Sequence, residues 1–333
     1  MELEVLNKYE KGQICVLADK KLIRHPEWEA ATKLHSYPVH WIEVSESDKS
    51  LETVSRIWDF LFEHGITRRG LLICIGGGIL TDLGGFAAST YKRGIDYINI
   101  PTTLLAMIDA STGGKTGINY RGLKNSIGTF APPKAVIVDP SWLSTLPAEQ
   151  FLSGFGEMLK TGLLDEQLWP QLLQYDLETM PSDGLTELIK HCLAIKGRVI
   201  EADPQETGMR KVLNLGHTFG HALEEISFQQ TAIRHGYAVV YGLIAELYLS
   251  VTKLGCPKEP LQQLTQIMLH AYGKPQCKCS DRQVLVSLMR QDKKNEQAGQ
   301  INCTLLQAVG QPVINQVITE QEAVEAWEYL FSL

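Results

Sequence analysis

Apolar positions in the first half of the chain fall in short dense runs, separated by stretches where they recur at helical spacing. Residues 13–18 predict a buried strand, and residues 50–64 carry Leu51, Val54, Ile57, Trp58 and Leu61 as one helical stripe. Residues 71–75 predict a second strand, followed at once by Gly76, Gly77 and Gly78 and by a helix expected from about Thr81 and Asp82. Residues 97–100 and 135–138 predict two further strands. Strands alternating with helices imply parallel βαβ units, a doubly wound sheet and a ligand crevice at the strand C-termini.

After Pro147 the texture changes. Long periodic segments at 150–164, 186–201, 218–226, 237–254 and 260–272 predict helices, with 301–306 as the main strand. The expected fold is therefore α/β: an N-terminal doubly wound, mostly parallel sheet over residues 1–148, then a mostly α-helical C-terminal domain over 149–333. The length of 333 residues fits about two domains.

Composition narrows the classes. A hydrophobic content of 44% with 21% charged residues describes an ordinary globular protein. A net charge of −7 argues against nonspecific nucleic-acid binding, which uses a basic face. No apolar run is expected to span a bilayer, which takes about 20 residues. Glu2, Glu4, Lys8, Glu10 and Lys11 interrupt any signal-peptide core at the start. Seven cysteines without a regular framework fit a reducing cytoplasm, and Cys277 with Cys279 forms a lone C-x-C, read as structural or surface thiols.

The chemistry concentrates in a carboxylate and three imidazoles. His217 and His221 stand at i and i+4, so a helix projects both rings from one face. Catalytic Zn²⁺ takes three N/O ligands and keeps a fourth position open. Glu157, His217 or His221, and His235 could supply them; the alternative is a pair of ordinary surface histidines. Gly76, Gly77 and Gly78 form either a tight turn or a backbone approach to a diphosphate at a helix N-terminus. Asp109 and Lys115 bracket a Gly-Gly-Lys turn, with Lys124 and Asn125 shortly after, which suits phosphate or solvated lysines. Glu157 and Lys160 share a helix face as i and i+3; the bland expectation is a surface ion pair worth under about 1 kcal/mol. Lys196, Arg210, Asn214, Lys293 and Lys294 add cationic and polar groups to an acidic chain. Gathered at the metal, they call for a substrate with at least two negative groups.

With these residues in view, the chain resembles the 3-dehydroquinate synthases of the sugar-phosphate cyclase family, over nearly its whole length. The resemblance is carried by Gly76-Gly-Gly-Ile-Leu-Thr-Asp82, Pro101-Thr-Thr-Leu-Leu-Ala106, Gly113-Gly-Lys-Thr-Gly-Ile-Asn119 with Lys124-Asn125, Glu157-x-x-Lys160, and Leu213-Asn-Leu-Gly-His-Thr-Phe-Gly-His221. It implies a cytoplasmic homodimer that depends on NAD and on Zn (alternatively Co), with its active site in the interdomain cleft. The metal falls to Glu157, His217 and His235, leaving His221 near the substrate phosphate. NAD falls to Asp19, Glu46, Lys49, Gly76, Gly77, Gly78, Asp82, Thr102, Thr103, Lys124, Trp142 and Thr145. Lys160, His221, Asp109 and Lys115 are the implied catalytic residues. Asn125, Lys196, Arg210, Asn214 and one or both of Lys293 and Lys294 are implied substrate contacts, and Arg93 reaches the neighbouring subunit's phosphate.

The implied reaction converts 3-deoxy-D-arabino-heptulosonate 7-phosphate to 3-dehydroquinate and phosphate. It runs through transient oxidation by NAD, β-elimination, re-reduction, ring opening and intramolecular aldol closure. Two positions depart from the family pattern: Tyr237 replaces an acidic residue after the third His-Gly, and Glu149-Gln150 replaces an Arg-Glu pair. The rivals are another sugar-phosphate cyclase and a metal-dependent NAD alcohol dehydrogenase of glycerol dehydrogenase type. Lys196 and Arg210 argue against a cyclase whose substrate lacks a carboxylate.

Overall fold

The computed structural model describes residues 4–227, 232–275, 282–291 and 299–333. Two compact units divide the chain, Met1–Pro147 and Ala148–Leu333. The first contains β1 (Ile14–Asp19), α1 (Pro26–Ala30), β2 (Val39–Ile42), α2 (Leu51–Glu63), β3 (Leu71–Gly76), α3 (Gly78–Thr90), β4 (Asp96–Pro101), β5 (Lys115–Tyr120), β6 (Leu123–Phe130) and β7 (Ala135–Val136).

Five of these strands form one parallel sheet in the order β2-β1-β3-β4-β7. The alternate residues Cys15 and Leu17 on β1, and Leu72 and Cys74 on β3, pack into one core cluster with Val54, Ile57 and Leu61 of α2 and with Leu83 and Ala87 of α3. The other apolar residues of the central strands β1, β3 and β4 are buried too, as expected of a parallel sheet covered on both faces, while the outer strands β2 and β7 are mostly half-buried. Chain direction across the sheet reverses between β1 and β3, and such a switch point opens a crevice beyond the strand C-termini. Helix α3 begins at Gly78, three residues before the expected start, because glycine's poor helix propensity hides a helix N-terminus from a propensity reading. The expected strand at 135–138 shortens to two residues.

The second unit comprises α4 (Ala148–Leu163), α5 (Leu168–Leu173), α6 (Leu185–Ala202), α7 (His217–Ser227), α8 (His235–Leu254), α9 (Glu259–Ile267), α10 (Arg282–Arg290), β8 (Ile301–Ala308), β9 (Gln311–Ile318) and α11 (Glu320–Ser332). The helix expected over 260–272 ends in a π-helical turn, Met268–Tyr272. Contrary to the sequence expectation, one helix is long and apolar enough to cross a membrane by length and composition: α8, with 20 residues and an 18-residue stretch of mean hydropathy 1.3. Two-thirds of that apolar stretch (67%) is buried within the protein, as in a core helix.

Two glycines let α8 approach its neighbours backbone to backbone. A Cβ on Gly236 would stand 1.7 Å from the Ser153 carbonyl oxygen of α4, and one on Gly242 would stand 1.9 Å from the Gly216 carbonyl oxygen just before α7. No side chain fits either gap, so α4, α7 and α8 meet at the distance only glycine permits.

Candidate metal and cofactor sites

The close packing of α4, α7 and α8 brings Glu157, His217 and His235 together. One potential ligand atom from each lies within 4.8 Å of the others, the one such group among the described residues. Both imidazoles present Nε2 to the same carboxylate oxygen, Glu157 Oε1, at 3.4 Å for His217 and 3.0 Å for His235. Each ring's Nδ1 is turned to an acceptor: the Leu215 carbonyl for His217, at 3.1 Å, and Glu224 Oε2 for His235, at 3.0 Å. These acceptors suit hydrogens on Nδ1 of both rings, the tautomer that would leave Nε2 to a metal in place of the contact with Glu157. An oxygen and two imidazole nitrogens, with Glu157 and His217 buried and His235 half-buried, fit Zn²⁺ or Co²⁺. His221 lies beside them, its ring centroid 5.3 Å from that of His217, outside the ligand group.

Lys160 Nζ stands 2.5 Å from Glu157 Oε2, and the two side chains are only 3% and 1% exposed. The surface-pair expectation is therefore wrong. This is a buried pair, and removing one partner of such a pair costs about 3–5 kcal/mol by stranding the other charge. Burial alone would lift the Glu157 carboxyl, but the Lys160 ammonium and the hydrogen bond from His235 hold it well below the usual carboxylate range. Burial disfavours charge on His235, yet Glu224 and Glu157 overcome it and raise the imidazole to about 10.

The segment entering α7 is organised by Asp203 at the end of α6. Its carboxylate accepts from the backbone N–H groups of Thr207, Gly208 and Arg210 at 3.0, 2.7 and 3.1 Å. Arg210 is buried and donates from Nη1 to the Pro204 carbonyl at 2.7 Å. Asn214 donates to Glu206 Oε1 at 3.1 Å, and Lys196 is buried on α6. Lys293 and Lys294, like Cys277 and Cys279, lie outside the described residues.

The two departures from the family pattern sit in one cluster. Arg234 donates to Glu149 Oε2 from Nε and Nη2 at 3.2 and 2.5 Å. Tyr237 packs edge-on against Tyr272, and its hydroxyl is lifted by burial and then by the charge of Glu149. An ion pair and an aromatic pair thus fix the start of α8, where His235 stands.

In the first unit, the residues expected to meet the cofactor sit after the C-terminal ends of the parallel strands. Asp19 ends β1, where its side chain caps the next turn through the Lys21 N–H at 2.9 Å. Glu46 and Lys49 follow β2, Gly76 closes β3 with Gly77 and Gly78 after it, Thr102 and Thr103 follow β4, and the 3₁₀ turn containing Trp142 and Thr145 follows β7. Thr102 donates its N–H to the Gly76 carbonyl at 3.0 Å, which ties two of these ends together. Gly77 is the N-cap of α3 and brings no capping side chain, so the first-turn N–H groups suit a phosphate. The Trp142 indole is buried and tilted against His25 at 4.9 Å between ring centroids, and its carbonyl meets His25 Nε2 at 3.1 Å.

Lys49 Nζ bridges Asp82 Oδ2 and Asn125 Oδ1, both at 2.5 Å. Asn125 therefore lies among the expected cofactor contacts. Asn119, assigned no role from sequence, donates to Glu46 Oε1 at 2.8 Å and accepts the Asn125 N–H at 2.9 Å. Asp109 lies in a π-helical turn, Ala106–Ala110, and adds negative potential at Asp82; Lys115 opens β5 and Lys124 lies on β6.

Residues 39–153 match the sequence model of the 3-dehydroquinate synthase N-terminal domain, and 154–295 that of the C-terminal domain. The chain belongs to the 3-dehydroquinate synthase family. It is 42% identical over 324 residues to the 3-dehydroquinate synthase of Parabacteroides distasonis, covering 97% of this chain and 92% of that one. Among solved structures it resembles ValA, the 2-epi-5-epi-valiolone synthase of Streptomyces hygroscopicus subsp. jinggangensis 5008, with NAD⁺ and Zn²⁺ bound. The TM-score is 0.83 and the identity 26%, with 96% of this chain and 91% of that one covered. It shares its fold with a 2-deoxy-scyllo-inosose synthase complexed with carbaglucose-6-phosphate, NAD⁺ and Co²⁺, at a TM-score of 0.81 and 24% identity over 96% of this chain and 90% of that one. The chain is thus an enzyme of the 3-dehydroquinate synthase family, and neither rival reading is favoured.

Proposed function

We propose that the enzyme converts 3-deoxy-D-arabino-heptulosonate 7-phosphate to 3-dehydroquinate and phosphate, with Glu157, His217 and His235 holding Zn²⁺ (or Co²⁺) and the strand ends of the first unit holding NAD. The observation that carries this reading is the convergence of two Nε2 atoms on one buried carboxylate, in a chain of this family. When bound, the metal supplies Lewis-acid polarisation of substrate oxygens, and NAD supplies reversible hydride acceptance.

The chain's own residues do the rest. Lys160 keeps Glu157 ionised and presents its ammonium to substrate oxygens. Lys196 and Arg210, both buried cations, suit a carboxylate, which favours this substrate over that of a cyclase acting on a neutral sugar phosphate. Asn214 adds a polar contact, while His221, Lys115 and Arg93 suit the phosphate. Asp109 and Asn125 complete the substrate set, and Lys293 or Lys294 adds a further cation.

A homodimer, with Arg93 reaching the neighbouring subunit's phosphate, belongs to this reading. Lys92, Arg93 and Gly94 hold φ of 49°, 69° and 110°, a left-handed run that costs energy at the two non-glycine positions and presents Arg93 on an exposed turn. Tyr120, Leu123, Ile127 and Phe130 leave apolar side chains exposed on the β5–β6 hairpin, a surface suited to a second copy of the chain. A cytoplasmic location fits the free, buried thiols Cys15, Cys74, Cys192 and Cys256 among the described residues.

Phosphate release coupled to a dehydroquinase tests the function. The heptulosonate phosphate should yield phosphate without net NADH, a chelator should abolish it, and sedoheptulose 7-phosphate should be a poor substrate. Steady NADH accumulation without phosphate would refute the reading.

A further inference from the structure

Helix α7 carries more than a ligand. His217, His221 and Glu224 stand at i, i+4 and i+7, so one face of the helix aligns two imidazoles and a carboxylate. Glu224 is buried, and its Oε2 accepts the Nδ1 hydrogen of His235 on the neighbouring helix at 3.0 Å. The other ring is oriented differently, since His217 donates Nδ1–H to the backbone carbonyl of Leu215. Of the two acceptors that set the ligand tautomers, only Glu224 is a side chain and only Glu224 is anionic. Ser227 Oγ donates to the Glu224 backbone carbonyl at 2.7 Å and accepts the Ile233 N–H at 3.0 Å, which ties the end of α7 to the approach to α8.

We propose that Glu224 is a positioning residue for the metal centre. It locks the His235 ring plane with Nε2 toward the cation, raises the basicity of that nitrogen, and supplies a second negative charge where Lys160 places a positive one. This inference deepens the metal reading above and rests on it. A carboxylate behind a metal-bound imidazole is worth about 10- to 100-fold in metal affinity.

The test is zinc affinity of the full chain, measured by competition with a chromophoric chelator, for the wild type, E224A, E224Q and H217A. Wild type should bind one zinc tightly and H217A should bind far more weakly. E224A should lose about 10- to 100-fold in affinity, and E224Q, whose amide oxygen can still accept the Nδ1 hydrogen, should lose less. The visible absorption of the cobalt-loaded protein should shift in E224A and return toward the wild-type spectrum in E224Q, which a purely structural role would not produce. Should E224A fail to fold, E224Q alone decides by affinity: weaker zinc binding than wild type supports the proposal, because the anionic charge is gone while the acceptor stays, and wild-type affinity overturns it. Unchanged zinc affinity in E224A overturns it too, while weak binding by H217A still supports the metal centre. Equal affinity of H217A and wild type overturns the metal centre itself.

Discussion

His235 hydrogen-bonds at each ring nitrogen to a different carboxylate, Glu157 and Glu224. The first was legible in the sequence, because acid and imidazole are the ligand types zinc needs; the second was not, because a search for three ligands stops at three. The i, i+4, i+7 spacing from His217 to Glu224 was the available signal. The choice between His217 and His221 could not come from spacing, since both project from one helix face; in the structure it is His217 that groups with Glu157 and His235. Asp203 was also missed, since its partners are backbone N–H groups that sequence does not reveal. Those three N–H groups, Gly208 first, hold its carboxyl near 2 against the ordinary 3.8. A carboxyl depressed in the folded state stabilises the fold above its ordinary value and loses that contribution as pH falls through its folded value. The wild type should therefore exceed Asp203→Asn in urea midpoint at neutral pH, with the gap closing between about pH 4 and 2. Parallel curves across that window would show that Asp203 does not carry this stability.

At the level of elements, strands and helices with strong apolar periodicity were readable to within a few residues, as β1, α2, β3 and α6 show. The β5–β6 hairpin was not. Its turn is Arg121-Gly122 with φ of 49° and 80°, a type I′ geometry in which arginine occupies a position usually held by asparagine. Strand β6 is also mostly exposed, so no alternation toward a core marks it. The glycines before Glu157 signalled close packing, but the partner helix was hidden until Gly236 and Gly242 were seen against α4 and the start of α7. Gly236→Ala should force α8 away from α4, at a cost of about 1–3 kcal/mol or more in urea denaturation. Zinc affinity should fall with it, because His235 adjoins Gly236. A stable Gly236→Ala protein that binds zinc as tightly as wild type would contradict the account of how these helices build the site.

For the whole molecule, the α/β and helical units and the family were legible from several blocks in order, while the proposed homodimer comes only from the resemblance, because an exposed arginine looks the same in a monomer. Co-expressed Arg93→Ala and Lys160→Ala chains test the dimer. Each should be inactive alone, and hybrids should regain part of the activity through the site that combines an intact Lys160 with an intact Arg93. Recovery no greater than the sum of the separate proteins would place Arg93 in its own subunit's site or in none. The account as a whole depends on one cation held by three side chains. The direct measurement is an anomalous difference map, recorded at the zinc edge, from crystals of the zinc-loaded protein. A single strong peak bonded to Glu157 and to Nε2 of His217 and His235, at about 2.0–2.2 Å, is the predicted result. A map with no peak there, and with His235 still hydrogen-bonded to Glu157, would contradict it.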